Sequence, residues 1–564
     1  MAWKEWSQLS EERRYLVDQA LAYMDAKYDE KAKLIGESEE HGKHGTRGSG
    51  HYALGLLLRS EPGDIERACE VLHKIIDLQF DAPDEIYHGT FKSALESVDP
   101  PAGNYPWKSL GHGHAYFLAQ TVEKITERLV SGIEGEQAKK EWADRLVTAV
   151  DEVLPPVWKS YDPNWREFIS CIFAVILEHF AGKLPQQLLG RMEQSMIKAV
   201  TGSIERRLSD VVPMNSNIEL MHTFIVHYYG TRLQRSDWLE HADREAEKLH
   251  ARYAEFGSLS EFNTTTYYGV DLTVLGLWRQ YGKTAAFKQL GHAMEKGLWA
   301  NIADFYNPYI ENLSGPFARA YEMEMTAHSS LGVMLYLALG NGYEHFTAIN
   351  CETEHDIMIA LVGVDVPEEL LPQLAEHQGD RLVEQPFREL CERDQPDANT
   401  NLCTARAWIE KELMMGAMSG SKNTNGQLHP ATIHWKTADG HKYDLRLIRR
   451  EVGKHWNTHL RGVYYEAAVN ERELEVEVQC GAAVDIEFYF EITGQGVDAR
   501  GIAANRWTLP GLTLEVEAEA PAPVVQAFDN RLEIIYLVQA KKSLETPAAP
   551  NTMKFLLSRV QGKV

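Results

Sequence analysis

The feature that most limits what this chain can fold into is a change in hydrophobic period. Up to about residue 340, apolar side chains recur at helical spacing in segments divided by polar loops. After about residue 430 they alternate with charged ones, as in Leu474-Glu-Val-Glu-Val-Gln and Val484-Asp-Ile-Glu-Phe-Tyr-Phe. A period of 3.6 lines up one stripe of a helix and a period of two lines up one face of a strand, so the two halves belong to different architectures.

The helical half predicts about eleven helices in series, among them Trp165 to Phe180, Ile218 to Tyr229 and Tyr268 to Tyr281. No short repeat recurs at a fixed interval, so a closed array of helical hairpins is expected rather than a solenoid. The expected fold class is multidomain α + β: an (α/α) toroid over residues 1–340, incomplete or with six hairpins, then a mixed connecting region over 341–430. An antiparallel β-sandwich over 431–564 completes the chain. The stretch from Gly416 to Gly426 reads as a long loop.

Composition narrows the function. Hydrophobic residues at 44% and charged residues at 25% supply sizeable cores, and a formal charge of -25 argues against a nucleic-acid partner. A local basic cleft for an acidic substrate remains compatible with that charge. There is no apolar leader and no run long enough to span a bilayer, so a cytoplasmic protein with no membrane partner is expected. The six cysteines are far apart without a CxxC pair, which suits reduced thiols, and Cys171 reads as a core residue.

Several segments at expected helix ends carry more polar and aromatic groups than packing needs. In Tyr161-Asp-Pro-Asn-Trp-Arg-Glu167, Asp162 reads as an N-cap, while Trp165 and Glu167 fall in the first turn. In Pro213-Met-Asn-Ser-Asn-Ile-Glu-Leu-Met-His222, Asn215 or Ser216 caps the helix, leaving Asn217 and His222 to point into a common cleft. In Ser260-Glu-Phe-Asn-Thr-Thr-Thr-Tyr-Tyr-Gly-Val-Asp-Leu272, three threonines make a poor helix start unless their hydroxyls have partners, and Thr266 is the expected cap. Glu261, Asn263, Tyr267 or Tyr268, and Asp271 are left over. The segment from Phe305 to Met325 interleaves Tyr306, Asn307, Glu311, Asn312, Arg319, Tyr321 and Glu322, offering flat faces for sugar rings and planar groups for hydroxyls. Arg319 adds a fork for a carboxylate. His112 and His114 lack a third ligand at fixed spacing, and no phosphate-binding glycine loop is present. Neither a metal site nor a cofactor is therefore expected.

With these segments, the arrangement resembles the toroid polysaccharide lyases of the heparinase and alginate-lyase type, whose helical toroid precedes a β-sandwich. The resemblance implies that Asn217 and His222 neutralise a substrate uronate and that Tyr267 or Tyr268 moves protons, with His429 and His434 as candidates for a second histidine. It implies β-elimination on a uronate-containing glycan, with Asn217, His222, Tyr268 and Arg319 catalytic. Trp165, Glu167, Asn263, Tyr267, Asp271, Tyr306, Glu311 and Tyr321 then bind substrate. The alternative is a glycoside hydrolase, which needs two carboxylates across the bond, with Glu167, Glu219, Glu261, Asp271, Glu311 and Glu322 as the supply. A third reading is a non-catalytic glycan-binding protein. An oligosaccharide is the expected partner, and a homo-oligomer is compatible with all three readings.

Overall fold

The computed structural model describes residues 6–38, 43–100, 121–122, 124–151, 162–209, 215–390, 400–482, 484–540 and 551–560. His112 and His114 lie outside the described residues.

The helices close on themselves. Among the described residues, Thr46–Arg59 packs on Trp165–His179, which packs on Ser216–Arg232, which packs on Tyr268–Tyr281. That helix meets Asp356–Val362, which returns to Thr46–Arg59 and completes an inner ring. Glu11–Asp25, Asp64–Asp77, Gln186–Ser209, Ser236–Ala254 and Ala285–Phe305 pack outside it. The division follows from sequence. Ser216–Arg232 is buried from Ser216 to Gly230, which only an inner position allows, whereas Asp64–Asp77 buries the stripe Ala68, Val71, Leu72 and Ile75 and turns its charges outward.

Inner helices present their first turns at one rim. Trp165 donates from Nε1 to Thr46 Oγ1 at 2.9 Å, joining the first residues of two of them. Glu261 N–H, ahead of the Tyr268 helix, donates to Ser216 Oγ at 3.1 Å. The partial positive charge of several helix N-termini accumulates there.

The β-domain consists of two antiparallel sheets. The eight-stranded one runs in the spatial order Val524–Phe528, Arg531–Val538, Ile486–Thr493, Lys442–Glu451, Ala431–Lys436, Leu413–Ser419, Thr400–Ile409, Arg381–Leu390. The six-stranded sheet is ordered Val463–Val469, Glu473–Cys480, Asn551–Arg559, Leu512–Glu519, Arg506–Leu509, Ile502–Ala503. Phe490 of the first sheet meets Trp507 and Phe555 of the second with ring centroids 5.2 Å apart in each pair, fixing the sandwich core.

The strands of the β-domain start at Arg381, not near residue 430, and Gly416 to Ser419 is strand rather than loop. For two of these strands the cause is burial. Leu413–Ser419 and Ala431–Lys436 are buried on both faces for most of their length, so the alternation that marks a half-exposed strand is missing. Cys171 is buried as expected. No described helix is long and apolar enough to cross a membrane.

The toroid rim and the β-domain are joined by the segment from Phe305 to Met325. Ala320 N–H donates to Gln427 O at 2.9 Å, and Phe317 forms an antiparallel bridge with His429. Asn307 Nδ2 donates to Glu410 O at 2.7 Å. This junction covers part of the rim with β-domain side chains.

Candidate active site

The three threonines have the partners their placement demands. Thr264 Oγ1 accepts from Tyr267 N–H at 3.1 Å in the turn ahead of the helix, where Tyr267 and not the expected Thr266 holds the N-cap position, without a side-chain cap bond. Thr265 Oγ1 donates to Glu322 O, and Thr266 Oγ1 accepts from Tyr321 N–H at 3.1 Å. The helix start is thereby fastened to the strap that carries Arg319, Tyr321 and Glu322.

That fastening assembles a compact group. Arg319 Nη1 donates to Glu261 Oε1 at 2.5 Å and its Nε to Gln427 Oε1 at 2.7 Å, while its guanidinium lies over the Tyr267 ring, 4.4 Å from the centroid. Glu261 Oε2 accepts from Asn217 N–H at 3.3 Å, and the buried Asn217 Oδ1 has no partner. Tyr267 is part-exposed, and its ring is 6.2 Å from that of Tyr321, which in turn stands 4.6 Å from His328. Burial of its phenol raises the Tyr267 pKa well above the ordinary range, with Arg319 pulling it down, so the group is a neutral acid.

A second aromatic and cationic patch continues along the rim. The Arg47 guanidinium lies over Phe168 at 4.9 Å and over Trp165 at 5.4 Å, and its Nη2 is 3.9 Å from Glu352 Oε1. His328 Nε2 is 3.9 Å from the same oxygen, linking this patch to Tyr321. On the β-domain side, Arg446 sits 5.0 Å over Trp456 and donates from Nε to Glu491 Oε1 at 2.8 Å. Glu322 is exposed, yet desolvation of its carboxyl raises the pKa, against the pull of Arg446.

Asn217, Tyr267, Arg319 and Tyr321 thus meet in one place, while the other expected site residues stand elsewhere. His222 is fully buried, with Nδ1 2.8 Å from Ser203 Oγ and Nε2 3.0 Å from His241 Nε2, and its pKa is driven far down by burial and by His241. Glu167 belongs to the same interior relay, accepting from Ser203 Oγ at 2.5 Å. Neither side chain opens to the rim: on its all-buried helix, His222 points at Ser203 and His241 of the outer helices Gln186–Ser209 and Ser236–Ala254. Tyr268 is also fully buried, its phenolic oxygen accepting from Asn263 N–H at 2.5 Å, which makes the adjacent Tyr267 the reachable phenol.

Asn263 is a structural clamp, donating from Nδ2 to Ser314 O at 2.7 Å and Pro316 O at 2.8 Å. Asp271 is buried with both carboxyl oxygens unpartnered and its pKa is far above the usual range, from burial first and then from Glu261, so it is a neutral acid inside the core. Tyr306 is buried with an unpartnered hydroxyl. Glu311 is engaged by His345 Nε2 at 2.9 Å and Lys442 Nζ at 3.0 Å, which hold its carboxylate pKa down against desolvation. Trp165 is buried, with Arg47 over its ring. Asp162 is not the cap; it accepts from Asn164 N–H at 2.7 Å in a turn just before the helix. Asn215 occupies the other cap position without a side-chain bond. His429 and His434 are interior, both with pKa pushed down by burial, His434 to about 3.

Gln427, Arg446, Trp456, Arg47 and His328 join the cleft without having been singled out from sequence. Arg47 stands in Thr46-Arg-Gly-Ser-Gly-His51 and Gln427 just after the stretch read as a loop, and neither pattern says which rim the residue reaches.

A family described as a domain of unknown function (DUF8769) matches residues 14–112 and 140–363, more than half of the chain. The chain belongs to that family. The DUF8769 match ends one residue after the last inner helix, Asp356–Val362, so the family segment contains the whole inner ring and leaves out the β-domain. Comparison with curated proteins gave no match. Among solved structures, this DUF8769 chain is similar to the Streptomyces coelicolor A3 chondroitin AC lyase in complex with chondroitin sulphate, at 10% identity and TM-score 0.42, over 100% of this chain and 81% of that one. It is similar to a heparinase III at 8% identity and TM-score 0.33, over 98% and 85% of the two chains. It also resembles the endoglucanase CelQ from Clostridium thermocellum complexed with cellobiose and cellotriose, at 10% identity and TM-score 0.25, over 98% and 93%.

Proposed function

We propose that the chain is a carbohydrate-active enzyme that cleaves a uronate-containing oligosaccharide by β-elimination. The observation that carries this reading is the stacking of Arg319 over the part-exposed Tyr267 at 4.4 Å, within a rim lined by helix N-termini. Elimination needs the uronate carboxylate neutralised so that the C5 proton becomes acidic, a base for that proton, and an acid for the leaving oxygen at C4. Arg319 and Asn217 are suited to the first task, reinforced by the positive ends of the inner helices. Glu322, whose raised pKa brings it nearer neutral pH, is suited to take the C5 proton. Tyr267, a neutral phenol, is suited to donate to the leaving oxygen. Phe168 and Trp456, both part-exposed, offer ring faces for neighbouring sugars, each already paired with a guanidinium.

A second reading, hydrolysis, is favoured by Glu322 itself: an exposed carboxyl with a raised pKa beside Glu324 is what a general acid needs. It finds less support among the other carboxylates, because Glu167 and Asp271 are buried and Glu311 is held by two cations.

The two separate in one assay. Purified protein is incubated with uronate-containing and neutral oligosaccharides, following absorbance of the unsaturated uronate and new reducing ends together. Elimination is expected to raise both with a uronate substrate, and Glu322→Gln to abolish both. Reducing ends without absorbance mean hydrolysis. No cleavage of any member of the panel favours a binding protein. Slow release of small products from a long polymer fits exo action, and rapid depolymerisation rules it out.

A further inference from the structure

We infer that His328, Cys351 and Glu352 form a binding site for one divalent ion of the zinc type, independent of the reaction proposed above. One ligand atom from each, an imidazole nitrogen, the thiol sulfur and a carboxylate oxygen, lies within 4.8 Å of the others. His328 Nε2 and Glu352 Oε1 stand 3.9 Å apart. Metal bonds of about 2.0 Å to each would hold a tetrahedral pair roughly 3.3 Å apart. The half ångström between these figures is within reach of a rotation of the His328 ring, which is part-exposed.

The donor set selects the ion. A thiolate, an imidazole and a carboxylate together suit zinc and its neighbours, whereas calcium and magnesium require oxygen alone. Three protein ligands leave a fourth position for water, the pattern of an open site. Binding replaces the Cys351 S–H bond by a sulfur–metal bond and releases the proton to solvent.

The surroundings carry the support a ligand carboxylate usually has. His355 Nδ1 stands 2.7 Å from Glu352 Oε2, positioned to orient it as a second layer of contacts orients metal ligands. Around the same group, the buried atoms His51 Nδ1, His355 Nε2 and Asp356 Oδ1 all lack partners. So dense a set of unsatisfied polar atoms is costly in an interior with nothing to organise it. Arg47 Nη2 is 3.9 Å from Glu352 Oε1, beyond hydrogen-bond distance, with its guanidinium over Phe168. His328 also holds a left-handed backbone with φ 51°, which a non-glycine residue adopts at a cost.

The test uses the full chain stripped with chelator and titrated with Co2+, then with Zn2+ in competition. One equivalent of Co2+ is expected to give a near-ultraviolet thiolate charge-transfer band that Zn2+ displaces. Cys351→Ser is expected to remove the band, and His328→Gln to weaken affinity at least tenfold, with thermal melting of the stripped proteins unchanged. If Cys351→Ser does not fold, His328→Gln decides alone. Absence of a thiolate band in the wild-type chain, or tight stoichiometric binding that survives His328→Gln, overturns the site.

Discussion

Arg319 lies 4.4 Å over the ring of Tyr267 while donating to Glu261 and Gln427. The three contacts come from three places in the chain: the loop ahead of an inner helix, that helix's first turn, and the β-domain. The guanidinium is therefore held by the junction of the two domains rather than by either one. Its charge is already shared with Glu261, so an incoming carboxylate would compete with Glu261 for the same fork.

Tyr267 and Tyr268 separate a chemical role from a structural one. Tyr267→Phe is expected to lower kcat by about 10²- to 10⁴-fold, the range of a lost proton donor, with little change in melting temperature. Tyr268→Phe is expected to leave kcat nearly unchanged and to cost about 1–3 kcal/mol of stability, because the buried Asn263 N–H loses its acceptor. Steady-state kinetics paired with urea unfolding reads both; the reverse pattern would move the proton donor to Tyr268.

Asn263 carries a positive φ of 48° and two bonds to the strap backbone. Asn263→Ala loses both bonds and places a residue poorly suited to the left-handed region, so a loss of roughly 2–4 kcal/mol is expected. Asn263→Gly keeps the backbone conformation and should recover part of it. Equal losses for the two variants would mean that the bonds alone matter.

Legibility from sequence followed exposure only in part. The outer helices and the outer strands declared themselves because one face of each is wet, as in Asp64–Asp77 and Glu473–Cys480. Thr46–Arg59, opened by glycines, and Leu413–Ser419, buried on both faces, did not, whereas the equally buried Trp165–His179, Ser216–Arg232 and Tyr268–Tyr281 did. The same limit governed the site. Thr264, Thr265 and Thr266 looked anomalous, and the last two proved to be the fastening of the strap, whereas His222 and Tyr268 shared composition with site residues but face the interior. Which side of an all-buried helix reaches a rim depends on neighbours distant in sequence, and spacing carries no record of them.

His227 should make stability fall in mild acid. Its ring stacks on Phe287 with centroids 3.8 Å apart and Nε2 accepts from Lys283 N–H at 3.0 Å, while Asp243 Oδ1 is 3.8 Å from Nδ1. Burial, with a smaller contribution from Lys283, lowers its pKa from 6.5 to about 4. The native state is thus slower to take up the proton than the unfolded chain. The stability it contributes is complete above pH 6.5, falls as pH drops towards 4, and amounts to roughly 3 kcal/mol over that window. His227→Gln preserves an acceptor for Lys283 and removes the titration. Urea unfolding between pH 8 and 4 is expected to show a slope shallower by up to one proton in the variant, and an identical slope would assign the acid sensitivity to other groups.

Gly416 is where strand and strap come closest. A β-carbon built there would lie 2.0 Å from Gly315 O and 2.5 Å from Pro316 N, both backbone atoms with no side-chain freedom to yield. Gly416→Ala must therefore push apart the Leu413–Ser419 strand and the segment that Asn263 holds from the other side. The displacement would loosen Arg319 from Gln427, since both sit on elements flanking that contact. A fall in kcat/KM of tenfold or more is expected, along with a lower melting temperature. Gly440→Ala, in a turn with open space around its β-carbon, serves as the control and should lose stability through its positive φ of 91° alone, with kcat/KM retained. If both variants lost stability alike and Gly416→Ala kept full activity, the two domains would not need their close approach to hold the cleft in shape.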